Sequence, residues 1–152
     1  MNEQKQETND IESVNAIIVD DHEVSRKFFG HVMALADIAV AGTATDGEEG
    51  LALFKELQPD IVLLDVRMPN MDGHEALAAI KKENRDAYVL MLSGNKDFHS
   101  ISESMYAGAQ DFISKDQHMD DIINRLKKHT SRYLSGEIAT FSDRVTGHIR
   151  DV

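Results

Sequence analysis

Five polar side chains stand within two residues of the ends of short apolar runs, where the strands of a parallel sheet would end. Two adjacent carboxylates, Asp20 and Asp21, follow the first run, and a third, Asp65, follows a run of Ile, Val and two Leu. A hydroxyl, Ser93, and an ammonium, Lys115, follow two later runs. Because α/β proteins bind ligands at the carboxyl ends of their strands, these groups would share one crevice if the first and third strands are neighbours.

Three carboxylates in one crevice repel each other unless a cation lies among them. Carboxylate oxygens around an open position suit Mg²⁺, which takes one or two carboxylates from a protein and keeps several waters. Beside Mg²⁺, a carboxylate can attack phosphorus and become an acyl phosphate, while Lys115 and Ser93 hold phosphoryl oxygens. The seven histidines include no set at the spacing of a zinc site, so we expect no zinc.

Each of these residues also has an ordinary structural interpretation. Asp20 and Asp21 could simply cap a helix. Ser93 could belong to a turn with Gly94, and Lys115 could be a solvated surface charge. It is their joint position at predicted strand ends that favours a phosphoryl-transfer site over these alternatives.

Strands and helices are predicted to alternate five times along the chain, with short connections. Strands are predicted from apolar runs at 16–19, 38–41, 61–64, 88–92 and 112–113. Helical patterns begin at Glu23 and after a capping Asp46, and cover about 74–83, 97–106 and 117–133. The inward-facing residues of these helices are predicted to be Val24, Phe28, Val32, Leu35, Leu51, Leu53, Phe54, Leu57, Leu77, Ile80, Ile101, Met105, Met119, Ile122, Ile123 and Leu126. This alternation predicts an α/β fold with a doubly wound, five-stranded parallel sheet.

The composition limits the classes of function. With 152 residues, 41% of them apolar and 28% charged, the chain supports one globular domain. The net charge of −11 makes direct nucleic-acid binding unexpected, because such binding depends on basic residues at phosphates. No run approaches the roughly 20 apolar residues of a membrane span, and the polar start is no secretory signal, so we expect a cytoplasmic protein. The lack of cysteine excludes disulfides and thiolate metal sites.

Four motifs mark the predicted strand ends. They are Ile17-Ile18-Val19-Asp20-Asp21-His22, Leu63-Leu64-Asp65-Val66-Arg67-Met68-Pro69-Asn70-Met71-Asp72-Gly73, Ser93-Gly94 and Phe112-Ile113-Ser114-Lys115. Together they resemble the response-regulator receiver domain of two-component signalling, over about 15–133. The resemblance implies a flavodoxin-like (α/β)5 fold with strand order 2-1-3-4-5.

By this resemblance, Asp65 would be the phosphoacceptor. It would take a phosphoryl group from a histidine kinase or a histidine phosphotransfer protein. Mg²⁺ would be held by Asp65, by Asp20 or Asp21, and by the backbone carbonyl of Arg67.

The resemblance also implies a route from the phosphoryl group to an output surface. Ser93 and Lys115 would bind phosphoryl oxygens, and Phe112 would be the switch aromatic that turns inward as Ser93 moves. The face of helix 4, strand 5 and helix 5 would then control a downstream partner protein. One position departs from the family, since Asp116 stands where Pro usually follows the lysine. A cis bond before a non-proline residue costs about 3–4 kcal/mol, so a trans bond or an altered loop is expected there.

Two other functional interpretations fit part of the sequence. A Mg²⁺-dependent aspartyl phosphatase would carry its nucleophile on the first strand with a second acid two residues later, whereas Asp20 and Asp21 are adjacent. No cap domain is evident to enclose a substrate, so we expect a phosphoacceptor and not an enzyme. The second interpretation, that the chain is a receiver domain cut from a longer regulator, stays open. The 19 residues after Tyr133 are too few for a helix-turn-helix module with its own core.

The two ends of the chain differ from the middle. Residues 1–14 are polar and acidic and are predicted to be a disordered arm preceding a receiver domain at 15–133. Residues 134–152 are predicted to form an amphipathic helix that packs on a second copy, on a partner or on the domain's own surface, and the first of these would give a homodimer. Its apolar stripe, at steps of four and three, comprises Leu134, Ile138, Phe141, Val145, His148 and Val152. Gly136 and Gly147 favour the alternative of a frayed tail, since each costs a helix about 1 kcal/mol relative to Ala.

Overall fold

Five strands alternate with five helices in the computed structural model, which describes residues 13–94 and 97–136. The strands are β1 (Asn15–Val19), β2 (Ala39–Ala44), β3 (Ile61–Asp65), β4 (Tyr88–Ser93) and β5 (Asp111–Ser114). The helices are α1 (Glu23–Leu35), α2 (Gly47–Leu57), α3 (Gly73–Glu83), α4 (Phe98–Tyr106) and α5 (Met119–Leu134). The predicted arm falls almost entirely outside the described residues, as does the predicted amphipathic helix beyond residue 136.

All five strands are parallel and form one sheet in the order β2-β1-β3-β4-β5. This confirms the predicted fold class and strand order. The register pairs Val19 with Leu64, and Asp65 with Leu92. The residues that follow β1 and β3 therefore emerge at the same edge of the sheet, next to the ends of β4 and β5.

Two apolar layers cover the sheet, one on each face. Alternate residues such as Ile18, Leu63 and Leu90 pack toward α1 and α5. Their neighbours, including Ile17 and Val62, pack toward α2, α3 and α4. Because helices cover both faces, β3 and β4 are buried along their whole length. Each fully buried aliphatic side chain of this kind contributes about 1.5–3 kcal/mol, which fixes the strand ends that carry the polar groups.

The inward face of α1 differs from the prediction. Val24 is 82% exposed and Phe28 is 39% exposed, whereas Phe29, Val32 and Met33 are buried. The core-facing stripe is therefore displaced around the helix by one position relative to the predicted one. Leu35, which was also predicted to face inward, is 43% exposed in the last turn, so the whole helix is rotated relative to the prediction.

Smaller differences occur at the periphery of the domain. The second strand covers Ala39–Ala44 and not 38–41, and most of its residues are exposed because it is an edge strand. Leu57 and Met119 are also largely exposed, at 39% and 40%. The predicted cap of α2 is confirmed, since Asp46 Oδ1 accepts a hydrogen bond from the Glu49 amide at 2.8 Å. Within the described ranges, every helix is too short or too polar to cross a membrane.

Candidate functional site

Asp20 follows β1 and is held rigidly at the edge of the sheet. Its side chain is fully buried. One carboxylate oxygen accepts a hydrogen bond from the His22 amide at 3.0 Å, and the other accepts one from the Ser25 hydroxyl. The Arg26 guanidinium donates to the Asp20 backbone carbonyl at 2.8 Å. The first turn of α1 thus fixes the direction of this carboxylate.

Asp65 is the last residue of β3, and both it and Asp20 form ion pairs with Lys115. It is 4% exposed. The Lys115 ammonium lies 2.8 Å from Asp20 Oδ2 and 3.2 Å from Asp65 Oδ2. The Lys115 amide donates to the Ser93 carbonyl at 2.8 Å, which ties the lysine to the end of β4. The structure therefore brings residues from four strand ends into contact.

The loop between β3 and α3 is folded tightly against Asp65. Gly73 donates its amide to the Val66 carbonyl at 2.8 Å. A Cβ on Gly73 would lie 2.6 Å from the Val66 Cα and would also collide with the Asp65 carbonyl oxygen. Asn70 adopts a left-handed conformation, with φ of 65°, at the tip of this loop. The loop can therefore hold its position next to the carboxylate only with glycine at 73.

A cavity of about 740 Å³ opens above these groups. Asp65, Ser93 and Lys115 lie at its base, and Arg67 lies at its rim. The remaining wall is partly apolar and includes Val24 and Phe28, the two residues predicted to face the core. Sequence reasoning missed this role, although their position only a few residues after Asp20 and Asp21 was a signal that they lie near the site.

Burial and neighbouring charges set unequal pKa values for the carboxylates. Burial raises the pKa of Asp65 to about 6, with a further contribution from Asp20 and an opposing one from Lys115. Burial also acts on Asp20, but hydrogen bonds from Lys115, Ser25 and the His22 amide outweigh it and lower the pKa of that carboxyl. Burial acts to lower the pKa of Lys115, but the contacts with Asp20 and Asp65 outweigh it and raise that pKa. Asp65 is therefore the more basic of the two carboxylates.

The geometry around Asp21 fits a hard cation. Ligand atoms of Asp20, Asp21, His22 and Asp65 lie within 4.8 Å of one another. The Oδ1 atom of Asp21 is enclosed and makes no hydrogen bond with any described residue, although the His22 Nδ1 atom lies 3.0 Å away. An enclosed carboxylate oxygen without a hydrogen bond is costly, by roughly 1–3 kcal/mol or more for a charged group. A cation bound by these oxygens would remove that cost, and an oxygen-rich set is the kind that Mg²⁺ prefers.

Two predicted residues lie apart from the polar cluster. Phe112 is buried in the apolar layer beneath α4, with Ile101 and Met105 packed against the same layer. Arg67 is exposed, and its carbonyl as a metal ligand stays a prediction. The Lys115–Asp116 peptide is trans, as expected from the absence of proline, and Lys115 still reaches both carboxylates.

Comparison with known proteins points to one family. The family model described as "Response regulator receiver domain" matches residues 16–127. The chemotaxis protein CheY of Thermotoga maritima is 36% identical over 112 residues, covering 74% of this chain and 93% of that protein. The response regulator VraR of Staphylococcus aureus is 35% identical over 121 residues, covering 79% of this chain and 57% of that protein. The chain thus spans little more than half the length of VraR.

Solved structures give the same answer. The receiver domain of NarL from Mycobacterium tuberculosis superimposes with a TM-score of 0.73 at 30% identity, covering 78% of this chain and 97% of that one. A chain of the CheX–CheY–BeF3–Mg²⁺ complex from Borrelia burgdorferi superimposes with a TM-score of 0.73 at 29% identity, covering 77% and 89%. The matched family, the strand order and the residues at the strand ends agree. This chain belongs to the response regulator receiver domain family of two-component signalling.

Proposed function

We propose that Asp65 accepts a phosphoryl group from a histidine kinase or a histidine phosphotransfer protein. The observation that carries this proposal is the placement of a basic, buried carboxylate within 3.2 Å of the Lys115 ammonium, at the base of an open cavity. A carboxylate of raised pKa is the better nucleophile when ionised, and the ammonium offsets charge on an incoming phosphoryl group.

The transfer itself needs little covalent chemistry from the protein. A carboxylate oxygen of Asp65 forms a bond to phosphorus as the P–N bond of a phosphohistidine breaks, and the electron pair returns to the imidazole nitrogen. The product is an acyl phosphate. Catalysis of such a step is mostly positioning and charge neutralisation, so the receiver acts as a phosphoacceptor and not as an enzyme with its own substrate.

Mg²⁺ is the cofactor proposed for this pocket. Asp20, Asp21 and Asp65 would hold it, with the backbone carbonyl of Arg67 as a further ligand. The Asp21 Oδ1 atom, which is enclosed and has no hydrogen-bond partner among the described residues, supports this assignment. When bound, Mg²⁺ supplies positive charge that offsets the phosphoryl oxygens. Ser93 and Lys115, which share the base of the cavity with Asp65, would contact the phosphoryl oxygens directly.

The proposed output is a change in the face formed by α4, β5 and α5. Phe112 lies on β5 within the apolar layer under α4, and Ser93 ends the neighbouring strand β4. A shift of the Ser93 hydroxyl toward a phosphoryl group would then be accompanied by movement of the Phe112 ring. Two aromatic side chains on this face are exposed, Phe98 at 80% and Tyr106 at 66%. Exposed aromatic rings of this kind would offer a contact surface to a downstream protein. The acidic charge of the chain favours a protein partner over direct contact with nucleic acid.

Phosphorylation by a small donor tests the acceptor. Incubation with Mg²⁺ and acetyl phosphate should add one phosphoryl group by intact mass. Asp65→Asn should abolish the gain, and Asp86→Asn, which changes an exposed acid in the α3–β4 loop, should leave it unchanged. Equal labelling of Asp65→Asn and the wild-type chain would show that the acceptor is elsewhere.

The metal and output steps have their own tests. Asp20→Asn and Asp21→Asn should weaken Mg²⁺ binding, and a chelator should stop the reaction. Full labelling without a divalent ion would contradict the metal assignment. Addition of BeF3⁻ with Mg²⁺ should shift amide resonances of 101–107 and Phe112, because the ligand favours one of two states of that face. Shifts confined to the cavity would contradict the output proposal.

A further inference from the structure

A second cavity lies at the amino edge of the sheet, at the opposite end of the strands from Asp65. It has a volume of about 590 Å³, and its lining residues include Asp60, directly before β3, and Ala87, directly before β4. The ends of α2 and α3 and the Tyr133 side chain of α5 complete its wall. We call this cavity the amino-edge groove.

Three aromatic side chains line the amino-edge groove. Phe54 and Tyr88 are 6% and 2% exposed, and the rings of Tyr88 and Tyr133 meet edge to face with their centroids 6.1 Å apart. The Tyr133 hydroxyl donates to Asp60 Oδ1 at 2.6 Å, and Asp60 Oδ2 accepts from the Asn15 amide at 2.9 Å. Contacts within the domain therefore hold this wall in place, and a further ring could pack against its aromatic part.

The charge around the groove favours a positively charged group. Acidic side chains outnumber basic ones among its lining residues. Both α2 and α3 end beside the groove, at Leu57 and Glu83, and the carbonyl groups at a helix C-terminus carry partial negative charge. The Lys55 ammonium, 3.3 Å from Glu83, offsets only part of this charge. An occupant that combines an aromatic ring with a cation would fit the groove.

Both ends of the described domain lie beside the groove. Asn15 is the first residue of β1 and pairs with Asp60, and Tyr133 is the last residue but one of α5. Of the two segments that continue the chain from these ends, the one at 1–12 carries four acidic side chains and one basic side chain. Like charges would therefore keep that segment out of an acidic groove.

The segment at 137–152 carries the groups that the groove would accept. Its predicted apolar stripe includes Phe141 and Val145, and Arg144 lies between them in the sequence. A guanidinium pairs with carboxylates and also stacks on aromatic rings. The chain from Tyr133 to Phe141 could extend to about 27 Å, so Phe141 can reach the groove that Tyr133 lines.

We propose that the segment at 137–152 docks in the amino-edge groove of its own chain. The Phe141 ring would pack against the aromatic side chains, and the Arg144 guanidinium would face the acidic ones. Among the three partners expected for this segment, the proposal selects the domain's own surface, and it does not rest on phosphorylation. Docking would hold the end of α5 against the loops before β3 and β4. Amide hydrogen exchange in 129–134 should therefore be slower in the wild-type chain than in Phe141→Ala.

A nitroxide attached next to Phe141 tests the docking in the full chain. The sequence contains no cysteine, so Ser142→Cys provides a single attachment site. The nitroxide should broaden the amide resonances of Asp60 and Ala87 in the groove and leave those at the opposite edge of the sheet sharp. Adding Phe141→Ala to the labelled chain should remove most of this broadening. Thr140→Ala, outside the predicted stripe, is the matched control and should preserve it.

Charge reversal tests the electrostatic part of the proposal. Arg144→Glu in the segment and Glu83→Lys in the groove should each reduce the broadening, because each places like charges against one another. Glu56→Lys reverses an exposed acid of α2 that is not among the lining residues of the groove. This control should leave the broadening as it is in the otherwise unaltered labelled chain.

A mixed sample distinguishes docking within one chain from docking on a second copy. Chains that carry the nitroxide are mixed with nitrogen-15-labelled chains that lack it, and the groove resonances of the latter should stay sharp. The proposal is overturned if those resonances broaden as much as in the singly labelled chain, since the segment then occupies a second copy. It is equally overturned if the groove resonances stay sharp in the chain that carries the nitroxide, or if Phe141→Ala leaves their broadening unchanged.

Discussion

Replacing the proposed phosphoacceptor with its neutral isostere should stabilise the fold. Asp65 is 4% exposed, and burial raises its pKa to about 6, against 3.8 for an ordinary Asp. The ionised form is therefore disfavoured in the folded chain relative to the unfolded chain. Asp65→Asn removes that charge and keeps the shape of the side chain, so the free energy of unfolding should increase at pH 7.

The size of the effect follows from the same pKa difference. A shift of one unit corresponds to about 1.4 kcal/mol, so a rise from 3.8 to about 6 corresponds to roughly 3 kcal/mol at pH 7. The attraction of Lys115 at 3.2 Å is already part of this pKa. The measured gain should be smaller, about 1–2 kcal/mol, because the buried amide of Asn needs hydrogen-bond partners of its own. Lys115 keeps its closer partner, Asp20, at 2.8 Å and is not left unpaired.

The dependence on pH has a definite sign. Between the two pKa values the folded chain binds more protons than the unfolded chain, so its stability rises as the pH falls. The difference in free energy of unfolding between Asp65→Asn and the wild-type chain should therefore become smaller on acidification. If the charge were the whole effect, this difference would fall from roughly 3 kcal/mol at pH 7 to about 0.6 kcal/mol at pH 4.

Urea unfolding followed by circular dichroism, with a chelator present, measures these differences. The control Asp86→Asn should change the free energy of unfolding by less than about 0.5 kcal/mol, as exposed substitutions usually do. The reasoning is refuted if Asp65→Asn is no more stable than the wild-type chain at pH 7, or if its advantage grows toward pH 4. When Mg²⁺ replaces the chelator, the difference in stability between Asp65→Asn and the wild-type chain should become smaller. Mg²⁺ bound to the wild-type carboxylates stabilises that chain by about 2.7 kcal/mol at a hundredfold excess over Kd.

Three further changes test other parts of the fold. Asp111→Asn should destabilise the chain by about 2 kcal/mol at pH 7. Burial acts to raise the pKa of this carboxyl, but hydrogen bonds from His129 and Arg125 outweigh it and lower the pKa to about 2. Measured by urea unfolding, the stability lost in Asp111→Asn should therefore vanish as the pH falls toward 2. Gly73→Ala should lower both stability and the rate of labelling by acetyl phosphate, because a Cβ meets backbone atoms there; unchanged labelling would contradict this. If 134–152 pairs two copies, light scattering should give a dimer for the full chain and a monomer after truncation of this segment, whereas equal monomer masses would contradict pairing.

The strand ends were predictable because their sequence signal is local. The runs before Asp20 and Asp65 contain only apolar residues, and such runs predict strands buried on both faces. The polar residue after each run then marks the edge of the sheet without any knowledge of its neighbours. This reasoning located Ser93 and Lys115 equally well, and the structure places both at the base of the cavity.

The face of α1 was not predictable by the same means. Both Phe28 and Phe29 continue an apolar pattern with Val32, and the choice between them depends on how the helix is rotated against the sheet. The structure buries Phe29 and leaves Phe28 39% exposed beside the cavity. An apolar residue near a functional site therefore resembles a core residue in the sequence, and only the packing separates the two.

Buried polar pairs were missed for a related reason. The His129 imidazole lies 2.6 Å from the Tyr88 hydroxyl and 2.7 Å from Asp111 Oδ2, and it is nearly inaccessible to solvent. These partners come from β4, β5 and α5, so no spacing along the chain brings them together. The same is true of His74 and Ser104, which join α3 to α4.

The order of the strands is the step on which the whole site depends, and alternation of strands and helices alone does not determine it. Asp20 and Asp65 contact one lysine only because β1 lies next to β3, with β2 at the outer edge. If β2 lay between them, the two carboxylates would be separated by two strand spacings, close to 10 Å, and no single ammonium or ion could reach both. Between β1 and β3 the chain changes the side of the sheet on which it adds the next strand. This change creates both the crevice and its chemistry, which is why ligands bind at such points in doubly wound sheets.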